Sequence, residues 1–182
     1  MDYSAYSAQE LGRFIQWLRA LPSARVLEIG TRRSNAEIAT HHRDWAAADA
    51  RYVMSDFQDG LDVDVVADAH ALRTTFRRRS FDAVIACSVF EHIQRPWIAA
   101  QEVAAVLKSG GCAFIQTHQT FPLHGYPHDY WRFTKEALET IFRDAGLTGE
   151  AFYEFPCEIT SERLPGAGGI AFLNVCIVAH KP

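Results

Sequence analysis

The sequence of 182 residues has no long apolar run. The longest, Phe81 to Phe90, carries Asp82 and stops well short of the ~20 residues that cross a bilayer. It also lacks a basic-then-apolar leader, since MDYSAYSAQE opens with an acid. No C-x-x-C pair is present. Cys87, Cys112, Cys157 and Cys176 lie far apart, and three of them sit in apolar runs where a thiol packs as a small hydrophobe. Neither a zinc cluster nor dithiol chemistry is indicated, and the expectation is a reducing cytoplasm with no membrane partner. Positive charge is not in excess either. Eighteen Lys and Arg against 22 Asp and Glu leave a formal net charge of −4, which argues against a dedicated nucleic-acid binder. Repeats, low-complexity tracts and interdomain linkers are absent as well. What remains is 48% hydrophobic residues in a length suited to one globular domain, 1–182.

Within it, elements alternate. Ser7-Ala8-Gln9-Glu10 has capping-box spacing, and Leu11, Phe14, Ile15 and Leu18 follow at helical period until Pro22. Residues 1–22 thus form an N-terminal helix. Tyr3 and Tyr6 on it are candidates for a lid, or else pack against the sheet edge. RVLEIG reads as a buried strand ending in a sharp turn at Gly30, and Asn35 to about Trp45 as a weak helix. RYVMSDF, DVDVVADAH and FDAVIACSVF supply three more strands. Pro96 opens a helix that Gly110-Gly111 should end, and CAFIQT is a fifth strand. A histidine-rich loop from His118 to Phe133 leads to a helix capped by Thr134 and stopped by Gly146. LTGEAFYEF and IAFLNVCIVAH close the chain as two strands around a Pro/Gly-rich stretch, Pro156 to Gly169. The expected architecture is α/β: a doubly wound, seven-stranded, mostly parallel sheet with an antiparallel C-terminal hairpin.

In such sheets a ligand lies beyond the carboxyl ends of the strands, where strand order reverses. Those ends carry Glu28 and Gly30, Asp56, Asp68-Ala69, and Cys87-Ser88. Gly30 permits close backbone approach, and Asp56 is placed to accept both hydroxyls of a ribose. Asp68 suits an adenine amino group. A carboxylate that ends a buried strand, as Glu28 and Asp56 do, is costly unless it has a partner.

VLEIG, the acid closing the second strand, ADAH, FDAVIACSVFEHI and EVAAVLKSGG resemble, in that order, the successive motifs of class I S-adenosylmethionine-dependent methyltransferases. The pattern is similar to the type 11 methyltransferase-like group and covers roughly Arg25 to Gly146. HGYPHDYWRFTKEAL resembles bacterial members found among glycan or natural-product genes. The resemblance implies a Rossmann-like fold with S-adenosylmethionine as cofactor. It implies that Glu28, Gly30 and Thr31 serve the methionyl end, Asp56 the ribose, and Asp68 and Ala69 the adenine. Cys87 and Ser88 would lie beside the cofactor, and His92 would line the methyl-transfer side. One departure is visible: Thr31-Arg32-Arg33-Ser34 replaces the usual glycine-rich turn. It motivates a second reading, a degenerate cofactor-binding module that senses or scaffolds. The missing glycines also argue against a third, a nicotinamide oxidoreductase with G-x-G-x-x-G.

Methyl transfer needs alignment of the partners and exclusion of water, and a hydroxyl acceptor gains from a base. His124 or His128, oriented by Asp129, is the candidate base, with Tyr126, Tyr130 and Trp131 walling the pocket. Asp129 could equally fix a turn before Arg132, and Trp131 and Phe133 could be core. Glu91-His92 either line the site or cap a helix. His70 and His180 are expected at the surface, and Arg73 with Arg77-Arg78-Arg79 at a solvated helix end. His118, His124, His128 and Asp129 match no familiar ligand spacing, so no metal is expected. The function expected is O-methylation of a small molecule, a sugar or natural-product hydroxyl. A minimal domain leaves the acceptor pocket open on one side, which a homodimer would complete.

Overall fold

Each strand–helix unit in the sequence supplies one edge-to-edge pairing and one apolar stripe, and together they build a single sheet. The computed structural model describes residues 3–33, 37–125, 127–159 and 169–182. The strands are β1 (Arg25–Ile29), β2 (Arg51–Asp56), β3 (Val65–Val66), β4 (Phe81–Cys87), β5 (Leu107–His118), β6 (Ala151–Ile159) and β7 (Gly169–His180). The helices are α1 (Tyr3–Ala20), α2 (Leu72–Thr75), α3 (Pro96–Val106) and α4 (Lys135–Asp144). Strand order is β3-β2-β1-β4-β5-β7-β6. β1 to β5 pair in parallel, while β7 runs antiparallel to both β5 and β6. The doubly wound α/β sheet expected from the sequence is present, with β7 inserted between β5 and β6.

Two cores flank the sheet. On one face, Leu72, Val103, Leu138 and Phe142 of α2, α3 and α4 pack with Leu27, Val84 and Ile115. On the other, Phe14 and Leu18 of α1 cover Val26, Ile85 and Phe114. Phe14 stacks on Phe114 at 5.3 Å between centroids, and Trp45 meets both rings edge-on. Tyr6 lies edge-on to Phe152 of β6, 6.2 Å away, so its ring packs on the sheet. The side chain of Tyr3 lies outside the described residues. Among the described residues no helix is long and apolar enough to cross a membrane.

Three expectations require correction. The helix expected from Asn35 to Trp45 is, in its described part, only a 3-10 turn at Arg43–Trp45. The cause is the buried Glu28, whose carboxylate takes the His42 N–H at 2.9 Å and so removes it from helical pairing. Gly110-Gly111 do not end α3, because Leu107 is already extended and both glycines lie inside β5. Gly110 has φ +77°, and a β-carbon on Gly111 would meet the Asp82 and Lys108 carbonyls at 2.9 Å. These glycines carry β5 past an irregularity in its pairing with β4. Pro156 does not end β6 either. It pairs opposite Phe172, on an outer strand where a missing N–H costs little.

Because Phe14 sits 2% exposed among Trp17, Trp45 and Phe114, Phe14→Ala should lower stability by about 3–5 kcal/mol. Urea unfolding followed by tryptophan fluorescence measures it.

Candidate active site

Strand order reverses between β1 and β4, and the turns leaving these two strands touch. Gly30 has φ +82°, and a β-carbon there would lie 2.3 Å from Val89 Cγ2. Its N–H and that of Thr31 donate to the Ser55 carbonyl at 2.7 and 3.2 Å, which ties the turn to β2. Ser88, after β4, holds φ +54°, a conformation that non-glycine residues rarely adopt and that clusters at functional sites. Asp56 ends β2 with one backbone N–H on each oxygen, from Arg32 at 3.3 Å and Gln58 at 3.0 Å. Each oxygen retains a further lone pair for a ligand. Asp68 caps the short turn at Ala69–Ala71, accepting from the His70 N–H at 2.8 Å, and its side chain is 60% exposed. Partial burial pushes its carboxyl up, but the hydrogen bonds from His70 and the charges of His70 and Arg95 outweigh this and hold it low. His70, expected at the surface, is half-buried and accepts the Arg95 N–H at 3.2 Å. Ala69 is buried beside it.

Glu28 and Thr31 are taken up in packing. The Glu28 carboxylate, 2% exposed, receives the His42 N–H, the His42 ring at 2.7 Å and the Tyr52 hydroxyl at 2.6 Å. Burial, then the Glu28 charge, drives the Tyr52 hydroxyl far above its usual range. Glu28 therefore orders the segment between β1 and β2. Thr31 Oγ1 donates to the Asp62 carbonyl at 2.6 Å, and its own carbonyl accepts from Thr40 Oγ1 at 3.0 Å. Arg32 reaches the Asp59 carbonyl at 3.2 Å, and Arg33 pairs with Asp62 at 2.6 Å. Both arginines stitch the turn to the loop after β2. Ser34 lies outside the described residues. Cys87 is half-buried, and burial, then the charges of Glu28, Glu154 and Glu91, pushes its thiol well up.

Beyond the ends of β4 and β5 opens a cavity of about 530 Å³. Ser88, His92, His118, His124 and Asn174 bring polar atoms to it, and Phe121, Phe155 and Leu173 form apolar walls. Behind these imidazoles lies Glu91, fully buried. Its Oε2 accepts from Thr117 Oγ1 at 2.7 Å. Its Oε1 makes no hydrogen bond; His118 Nε2 stands 3.0 Å and His92 Nε2 3.7 Å from it. The Glu91 carbonyl accepts the N–H groups of Tyr130 and Trp131, at 2.8 and 3.2 Å. One residue thus carries both a wall of the cavity and the loop above it.

His118, 6% exposed, has Nδ1 3.1 Å from Asn174 Oδ1 and stacks on Phe121 at 4.1 Å. His92 engages the His128 carbonyl through Nδ1, and its ring lies 4.7 Å from that of His124. His124 is held by Asp129 Oδ2, 2.9 Å from its N–H and 3.4 Å from Nδ1, while Pro122 O lies 3.1 Å from Nδ1. Asp129 is gripped by both terminal nitrogens of Arg132 at 2.6 and 2.8 Å. Those hydrogen bonds hold its carboxyl far below the usual range.

Of the two candidate bases, only His124 meets both Asp129 and the cavity. His128 is exposed, with its ring 5.4 Å from Tyr130, and it reaches the site through its carbonyl alone. Trp131 donates to the Ile93 carbonyl at 3.0 Å, and its ring lies 6.1 Å from that of Trp97, outside the cavity. Phe133 is core. Tyr126 lies outside the described residues. His118 and Asn174 are the cavity-lining members that sequence reasoning did not put forward. His118 ends β5 and so fell under the strand-end rule, whereas Asn174 enters only through its register opposite His118.

The sequence matches the family described as "Methyltransferase domain" over residues 11–115. A search of curated proteins finds no match. Among solved structures, a SAM-dependent methyltransferase from Archaeoglobus fulgidus is similar at 15% identity and TM-score 0.64, over 97% of this chain and 94% of that one. A chain of the Haloferax volcanii complex between the Trm112 methyltransferase activator and a candidate methyltransferase matches at 19% identity and TM-score 0.63, over 98% and 91%. Burkholderia thailandensis 1,6-didemethyltoxoflavin-N1-methyltransferase, solved with its substrate and S-adenosylhomocysteine, matches at 14% identity and TM-score 0.58, over 97% and 85%. At these identities the likeness is one of fold.

Gly30→Ala should cost at least about 1–2 kcal/mol from the left-handed backbone alone, with the Val89 contact adding to it, read as a lower urea midpoint. Glu91 gives a second test. Burial raises its carboxyl, but the His118 imidazole and the Thr117 hydroxyl beside it outweigh this and hold it below 4.5. A depressed folded-state value stabilises fully above 4.5, and that contribution is lost as pH falls through the lower value. Thermal midpoints should therefore fall less steeply with acid in Glu91→Gln than in the native protein.

Proposed function

The chain belongs to the class I S-adenosylmethionine-dependent methyltransferases, and from that premise we propose that it methylates a hydroxyl of a small acceptor, a sugar or natural product, seated in the His92–His118–His124 cavity. The observation that carries this is three imidazoles gathered in front of a buried carboxylate, directly beside Ser88 at the end of β4. The cavity's size is within the range of small-molecule pockets.

The strand ends fit the cofactor. Asp56 offers the lone pairs left by its two backbone N–H partners to a ribose, and the exposed carboxylate of Asp68, with Ala69, faces the adenine side. The turn at Gly30 and Thr31 would hold the methionyl end, with Glu28 acting through the segment it orders. Cys87 and Ser88 close the site on the β4 side, next to His92. When bound, S-adenosylmethionine supplies an electrophilic methyl group and leaves as S-adenosylhomocysteine once the acceptor oxygen has bonded to that carbon. Phe121, Phe155 and Leu173 give the acceptor apolar faces to pack on, which raises the yield of correctly aligned encounters. His124, aligned by Asp129, activates the acceptor hydroxyl for loss of its proton. His128 takes no part through its side chain.

His124→Ala should lower turnover by about 10²–10⁴-fold while S-adenosylhomocysteine binding by calorimetry stays unchanged. Asp129→Asn should lower it less, and His128→Ala should leave it near native. The assay is S-adenosylhomocysteine release over a panel of hydroxylated metabolites. Native turnover in His124→Ala would remove this role for the residue.

A further inference from the structure

We propose that Glu91, His92 and His124 form a binding site for a divalent transition-metal cation, opening into the acceptor cavity. One ligand atom from each of the three lies within 4.8 Å of the others. A single ion at roughly 2.0–2.2 Å from imidazole nitrogen and carboxylate oxygen holds its ligand atoms no more than about 4.4 Å apart, close to that limit.

The buried carboxylate points the same way. Glu91 is fully enclosed, Thr117 satisfies Oε2, and Oε1 makes no hydrogen bond. A buried carboxylate oxygen left without a hydrogen bond is costly, and a cation supplies what it lacks. His118 Nε2, 3.0 Å away, holds this oxygen toward the imidazoles, while Asn174 fixes the other side of the His118 ring.

The outer contacts of the two histidines have the pattern of metal ligands. His92 uses Nδ1 on the His128 carbonyl, and His124 uses Nδ1 on Pro122 O and Asp129. Acceptors at Nδ1 place the ring proton there and the lone pair on Nε2. In His92 it is Nε2 that faces Glu91. Sequence spacing conceals the set, because adjacent Glu91 and His92 meet His124 only through the fold of the loop after β5.

Two imidazoles and one carboxylate favour zinc, iron(II), cobalt or manganese over magnesium, which prefers oxygen alone. Three protein ligands leave positions open toward the cavity. The binding site stands on its own geometry; its role rests on the methyl-transfer reading. With the ion in place the lone pair of His124 is a ligand, and His124 acts on the acceptor hydroxyl through the ion in place of the direct proton acceptance open to it in the metal-free chain. The acceptor hydroxyl then binds the ion, which lowers its pKa, and the proton leaves to solvent as the oxygen bonds to the methyl carbon.

The full chain, stripped with chelator and returned to chelator-free buffer, is titrated with zinc(II) by calorimetry and with cobalt(II) by visible absorption. One ion per chain is expected, with cobalt bands of nitrogen and oxygen ligation. His92→Ala and His124→Ala should each weaken zinc by more than about 100-fold, beyond the usual cost of losing an outer contact. His180→Ala, an exposed histidine elsewhere, should not change it. Circular dichroism of each variant separates lost ligation from lost folding, and His92→Asn and His124→Asn serve where the alanine variant unfolds. No binding by the native chain, or equal binding by folded His92 and His124 variants, overturns the site. Methyl transfer is scored separately: turnover unaffected by chelator, in a protein that binds no ion, would leave the enzyme reading intact and remove the metal.

Discussion

The arrangement around the His92–His118–His124 cavity depends on burying the carboxylate of Glu91 without isolating it. A charge at zero exposure persists only when neighbours compensate it, and here those neighbours come from two places. Thr117 and His118 are the last residues of β5 and His92 follows Glu91 itself, while Tyr130 and Trp131 of the returning loop bond to its backbone carbonyl. Because the backbone carbonyl of the same residue holds that loop, side chain and main chain fix the same piece of structure from two directions. Arg132 extends the clamp to Asp129 and to the carbonyls of Phe121 and Pro122, so the segment carrying His124 has little freedom.

Glu28 does the corresponding work on the other side of β4. It takes the place a helix would have filled between β1 and β2, organising that crossing through His42 and Tyr52. The turn after β1, with no glycine beyond Gly30, is then secured from outside by Arg32 and Arg33 on the loop after β2. Two buried glutamates and a pair of arginines thus replace what regular secondary structure supplies elsewhere in the sheet.

The strand ends were legible because apolar runs closed by Gly30, Asp56 and Ser88 encode both a buried strand and its exit. Local signals failed where a distant partner decided the backbone. Asn35 to Trp45 reads as helix until Glu28 claims the N–H of His42, and Gly110-Gly111 read as a helix stop until the Asp82 carbonyl demands room. Pro156 reads as a break until it falls on an outer strand. At the cavity, His124 and Asp129 were recognisable as neighbours five residues apart, whereas Asn174 depends on the β5–β7 register. Histidine identity alone could not separate His124 from His128; their opposite exposures follow from the path of the loop.

The rims of the sheet bear on how copies of this chain could meet. One rim, β3, is two residues long, and the other, β6, contains a proline beside Phe155 in a left-handed conformation. Neither offers the unbroken series of donors and acceptors from which a neighbouring molecule could continue the ladder. Self-association, where it occurs, is thereby steered to contacts between side chains, and runaway fibre growth by strand addition is discouraged at both margins.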